Sequence, residues 1–142
     1  MFHFNFQKLK KFCYFSIYLL SCNYCASEEL ITSIAFGSCL KETRPQPIWK
    51  SVVDVKPDVF VLLGDNIYGD TRDMAKLRAK WKKFNSIEEF QKLRSTSRLL
   101  AVWDDHDYGE NDAGLEYPYK SESQQIFLDF LLMVESQPSN QS

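Results

Sequence analysis

The chain predicts an α/β fold with parallel strands. Three short apolar runs each end abruptly in glycine or acidic residues, and a helical pattern with Pro47 near its start separates the first two. Strand, helix, strand is a crossover unit, which joins parallel neighbours. Parallel strands deliver their C-terminal ends to one edge, where open α/β folds bind ligands.

The first run is Ile31–Thr32–Ser33–Ile34–Ala35–Phe36, closed by Gly37–Ser38–Cys39. Between Pro45 and Val55, Ile48, Trp49, Val52 and Val53 fall on one helical face. The second run, Asp58–Val59–Phe60–Val61–Leu62–Leu63, closes in Gly64–Asp65–Asn66–Ile67–Tyr68. Two helices follow, Asp73 to Phe84 and Ser86 to Arg94, the second with Ser86 and Glu89 spaced as a capping box. The insertion is placed to wall one side of a site. Its segment Lys76 to Lys83 alternates five basic residues with apolar ones, which suits either a solvated face or steering of an anion toward the rim.

The third run, Leu99–Leu100–Ala101–Val102, leads into Trp103–Asp104–Asp105–His106–Asp107–Tyr108–Gly109. With Glu110 and Asp112, five carboxylates crowd into nine residues, so the stretch is expected either as a solvated acidic loop or as one neutralised by a cation. Trp103 is expected to pack beneath it. After the loop Tyr117–Pro118–Tyr119, Ser121 to Val134 reads as a helix with a Ser121–Gln124 box and a stripe of Ile126, Phe127, Phe130, Leu131 and Val134. There is no repeat, low-complexity tract or linker.

Each of these chemical residues also has an ordinary explanation. Cys39 suits a small buried site at a strand end, and Asp65 suits a turn. Tyr68 and Tyr108 suit packing with a wet hydroxyl, and His106 suits a simple hydrogen-bonding role. Their joint arrival at three strand ends is what favours a site.

The strings F-G-S-C, G-D-N-I-Y-G-D and W-D-D-H-D-Y-G-x-N-D, in that order, resemble the PhoD-like (alkaline phosphatase D) branch of the calcineurin-like metallophosphoesterases over roughly Ile31 to Phe130. The resemblance implies a β-sandwich of two mixed sheets flanked by helices, and metal-dependent hydrolysis of small phosphate mono- or diesters. It implies Fe(III) and Ca(II) as cofactors, with other divalent ions as alternatives. By position, Asp65 is the central metal ligand, Tyr68 a phenolate on the ferric ion, Cys39 a thiolate on the same ion and Asp105 a ligand of the second metal. His106 falls beside the phosphate as the catalytic residue. Asn66, Asp104, Asn111 and Asp112 are further candidates. Carboxylates and a phenolate suit such hard ions, and two cations overcome the repulsion between a phosphate ester and hydroxide.

The family's remaining ligands, including a late Gly-Asp-x-His segment, have no counterpart after His106, because no later histidine exists. Residues 28–142 are therefore expected to be the N-terminal part of such a domain, incomplete in activity and prone to aggregate. A non-catalytic exported calcium-binding protein is the alternative reading, and an acidic α/β domain without metal is a third.

Lys8, Lys10 and Lys11 precede the apolar stretch Phe12 to Leu20, and no acid occurs before Glu28, so residues 1–27 read as a secretory signal peptide. Leu19–Leu20–Ser21–Cys22 also resembles a lipobox, which would lipidate Cys22 and anchor the protein. The expected location is thus periplasmic, extracellular or membrane-anchored. Of four cysteines only Cys39 lies in the body, so no disulfide framework is expected. Loss of three leader lysines takes the formal charge from −2 to −5, which argues against a nucleic-acid binder relying on a basic surface.

Overall fold

Three strands and five helices make up residues 30–135, the part of the chain described by this computed structural model. In order they are β1 (Ile34–Gly37), α1 (Ile48–Val55), β2 (Val59–Leu63), α2 (Met74–Asn85), α3 (Glu88–Thr96), β3 (Arg98–Val102), α4 (Asp105–Tyr108) and α5 (Lys120–Glu135). The leader with its signal-peptide and Cys22 readings, and the residues after 135, lie outside the described part.

Both strand pairings are parallel and the spatial order is β1-β2-β3. Register places Phe36 beside Val61 and Val61 beside Leu100. Since both crossovers step in the same direction, right-handed connections put their helices on the same face of the sheet. Accordingly Phe60 and Leu62 are buried at 3% and 0% exposure, whereas Phe36 and Val102 on the other face are 69% and 53% exposed. Asp58, just before β2, ties down the start of β1. Its Oδ2 accepts hydrogen bonds from the backbone N–H and hydroxyl of both Thr32 and Ser33.

On the covered face the core is largely aromatic. Trp49 of α1 lies 5.4 Å from Phe60 and 5.0 Å from Phe90, ring centre to ring centre, and Phe84 lies 4.5 Å from Phe90. Leu77, Trp81 and Phe84 recur at helical spacing along α2, and Ile126, Phe127 and Phe130 bring α5 onto the same cluster. Leu131 is partly buried against it, and Trp103 stacks on Phe127 at 5.4 Å, in the packing role expected of it.

Several boundaries differ from the sequence reading for local reasons. Asp73 is the N-cap of α2 rather than its first residue, accepting from the N–H groups of Ala75 and Lys76. The Ser86–Glu89 capping box does not form. Only Ser86 and Ile87 separate α2 from α3, so Ser86 serves as the C-cap of α2, and Ile87 is left as the N-cap of α3 with no side-chain cap bond. Helix α5 starts at Lys120, which puts Ser121 inside the first turn and not ahead of it. The stretch expected as an acidic loop contains a short helix, α4. Asp104 accepts from the Asp105 N–H at 2.9 Å, while Asp107 accepts from the Asp104 N–H at 3.0 Å.

Candidate metal centre

The C-terminal ends of the three strands open into loops that are bonded to one another. The Leu40 N–H donates to Asp65 O at 2.8 Å, joining the loops after β1 and β2. The Gly69 N–H donates to His106 O at 2.8 Å, joining the loops after β2 and β3. Asp107, fully buried, fastens that second junction. Its carboxylate accepts from the Ile67 N–H at 2.9 Å, Asn66 Nδ2 at 3.0 Å and the Asp104 N–H at 3.0 Å, and Asn66 Nδ2 donates also to Val102 O at 2.9 Å. Burial pushes the Asp107 carboxyl up to about 7, against the downward pull of its N–H donors. Two glycines let the loops approach this closely. A Cβ on Gly69 would lie 2.6 Å from His106 O, and Gly64, at φ 97°, would bring one to 2.9 Å from Asp104 Cβ.

Asp65, Asp105 and His106 converge at this junction, each offering one ligand atom within 4.8 Å of the others. All three are half-buried. Cys39 Sγ lies 3.8 Å from Asp65 Oδ2, and the Tyr68 and His106 rings are 4.5 Å apart. Burial foremost, and then the neighbouring Cys39 and Asp65 side chains, raise the Tyr68 phenol above its usual 10.0. A phenolate there is therefore disfavoured unless a cation offsets the negative neighbours. Asp65 Oδ1 is buried and has no hydrogen-bond partner. An orphaned carboxylate oxygen is costly, and it lies within the one group of side chains able to share an ion among the described residues.

Backbone strain collects in the same place. Cys39, Asp65, Asp70 and Asp112 have φ of 57°, 49°, 44° and 59°, in the left-handed region. Each costs on the order of 1 kcal/mol or more, and such residues tend to cluster at functional sites.

His106 Nδ1 pairs with Asp70 Oδ1 at 2.6 Å, leaving Nε2 as the nitrogen that Asp70 does not engage. Burial opposes protonation of His106. The Asp70 bond, with the charges of Asp70, Asp65 and Asp105, outweighs it and raises the pKa above 6.5.

The remaining candidates stand back from the convergence. Asp104 is occupied in capping α4. Asn66 is fully buried, its Nδ2 spent on the scaffold and its Oδ1 unpartnered. Asn111 Nδ2 donates to Asp112 Oδ2 at 2.6 Å on the exposed flank, and the Asp112 backbone N–H donates to the Asp105 carboxylate. Sequence reasoning passed over Asp70, for which only its place in G-D-N-I-Y-G-D spoke. It also gave no role to Asp107, although Asp104-x-x-Asp107 has the spacing of a cap and its reciprocal partner.

The described residues thus form a mixed α/β unit with a three-stranded parallel sheet and an acidic and histidine cluster at its C-terminal rim. Comparison with known protein families, curated proteins and solved structures finds no match. The donor set itself fits a hard cation. Calcium–oxygen bonds of about 2.3–2.6 Å let two ligand atoms of one ion lie up to roughly 5 Å apart, which accommodates the 4.8 Å grouping. Cys39 and Tyr68 add thiol and phenol groups beside Asp65.

Proposed function

We propose that this rim belongs to a PhoD-like metallophosphoesterase and serves the metal-dependent hydrolysis of phosphate esters. The observation that carries the reading is the convergence of Asp65, Asp105 and His106, with a buried Asp65 oxygen left unpartnered. Asp65 would be shared between ions, with Cys39 and Tyr68 completing a ferric site and Asp105 a calcium site. A cation held there supplies Lewis acidity, activating water and neutralising the phosphate oxygens. Asp65 and Asp105 would hold that cation at the rim. His106, its ring held by Asp70 and its pKa raised above 6.5, would donate a proton to the leaving ester oxygen. The Asp70–His106 pair is what favours hydrolysis over a non-catalytic calcium site, which needs no oriented imidazole.

The test uses the full chain, stripped of metal and reloaded with Fe(III) and Ca(II), with p-nitrophenyl phosphate and its bis-ester as substrates. Because the family's later ligands have no counterpart after His106, the reading predicts at most weak hydrolysis, which chelation abolishes and which falls about 10²-fold or more in His106→Ala. Metal binding without hydrolysis would favour the exported calcium-binding alternative. Absence of both would remove the metal reading altogether.

A further inference from the structure

Glu42 and Lys80 form an ion pair, buried on its carboxylate side, that the proposed chemistry does not use. Glu42 follows the Cys39 turn, and its side chain is wholly buried. Lys80 lies on α2, with its side chain one-third exposed and its Nζ 3.4 Å from Glu42 Oε1. Both groups meet at one residue, Tyr68, on the two peptides that flank its Cα. The Tyr68 N–H donates to Glu42 Oε2 at 3.1 Å, and Lys80 Nζ donates to the Tyr68 carbonyl.

Taking charges out of water is costly, so such a pair is weak evidence for stability and stronger evidence for specifying one geometry. Here that geometry is the orientation of Tyr68. With the peptides before and after Tyr68 each held, its backbone torsions are restrained, and the side chain leaves the backbone toward Cys39, Asp65 and His106. The grip comes from two directions, the loop after β1 and the helix after β2, so neither loop could supply it alone. Lys41, with its ammonium 5.2 Å from the centre of the Tyr68 ring, adds a contact on the ring itself.

We propose that Glu42 and Lys80 are positioning residues that pin the backbone on both sides of Tyr68 and thereby aim its phenol at the candidate metal centre. The ligand role of Tyr68 rests on the function proposed above, whereas the pinning does not. The test therefore has a metal-free arm and a metal arm, both on the full chain. Single loss of Lys80 would strand the buried Glu42 charge and threaten the fold. The main variant is accordingly the neutral double replacement Glu42→Met with Lys80→Met, which removes both the acceptor and the donor, and Lys80→Arg keeps the charge for comparison.

In metal-free protein, NMR follows exchange of the Tyr68 amide and the ring resonances of Tyr68, which its contact with the His106 ring displaces. The double variant should exchange that amide roughly 10-fold faster or more, and its ring signals should move toward those of free tyrosine. Fe(III) is then titrated while the visible charge-transfer band of an iron-bound phenolate is recorded. Affinity should fall about 10- to 100-fold with a weakened band, as for other residues that orient a ligand from behind, and Lys80→Arg should recover part of the loss.

Unchanged amide exchange and ring signals would overturn the proposal. So would an unchanged Fe(III) affinity and band in a variant whose Tyr68 signals do move. A wild-type chain that gives no phenolate band would instead overturn the ferric reading of Tyr68, and the metal-free arm would still decide the clamp.

Discussion

Asp107 shows how a single side chain holds the candidate centre together without belonging to it. It satisfies two backbone N–H groups and the Asn66 amide, from the loops after β2 and β3. Asp107→Ala would leave those donors buried and unpaired at about 1–3 kcal/mol each. We expect a loss of at least about 3 kcal/mol in urea unfolding, with Asp107→Asn milder because it keeps an acceptor. Gly69 is constrained by space, since a Cβ would collide with His106 O and Leu77 Cδ1 at 2.6 Å. Gly69→Ala should therefore displace the loop that carries His106, which NMR would register as a change in the His106 ring signals. At this scale the sequence was informative about which residues reach the rim and poor about what each does there. Asp65, Asp105 and His106 stood out because strand ends are readable from apolar runs. The pairing of Asp70 with His106 depends on a left-handed backbone at Asp70, φ 44°, that no composition or spacing announces.

Elements were legible where their periodicity was long and their caps uncontested. Helix α2 has buried residues at regular spacing and an Asp73 cap, so its limits fall within a residue of those expected. Helix α3 lost its expected cap because the preceding helix claimed Ser86, a competition visible only once both helices exist. Helix α4 is too short to show a period. Trp49 is the element-level keystone, as it touches rings from β2, α2 and α3. Trp49→Ala should cost about 3–5 kcal/mol, measured by chemical denaturation. Strand β1 depends instead on Asp58, whose carboxyl the Thr32 backbone N–H and hydroxyl, with Ser33, hold at about 2 against the usual 3.8. A lowered folded pKa means the stabilisation is complete above about 3.8 and is lost as pH falls through about 2. Amide protection in β1 should therefore decline between those values, and Asp58→Asn should remove that dependence.

Among the described residues the sheet is covered on one face only. Strand order β1-β2-β3 with same-handed crossovers loads every core-forming helix onto the Phe60 and Leu62 face. Ile34, Phe36, Leu63, Leu100 and Val102 remain exposed on the other. Parallel sheets are ordinarily covered on both faces, and a contiguous apolar surface promotes association. The full chain should bind a dye such as ANS and sediment as larger species at higher concentration. Phe36→Ser with Leu100→Ser should weaken both effects. Parallel pairing and the shared rim were foreseeable from strand, helix, strand order, whereas the bare face follows from spatial strand order, which the alternation of elements leaves open. The rim itself is where the functional proposal is decided. Calorimetric titration of metal-stripped full chain with Ca(II) and with Fe(III), beside Asp65→Asn, tests it most directly. We predict binding that Asp65→Asn weakens about 10-fold or more, as removal of a ligand carboxylate should; a wild-type chain that binds neither ion, or an Asp65→Asn variant that binds them equally well, would contradict the metal centre.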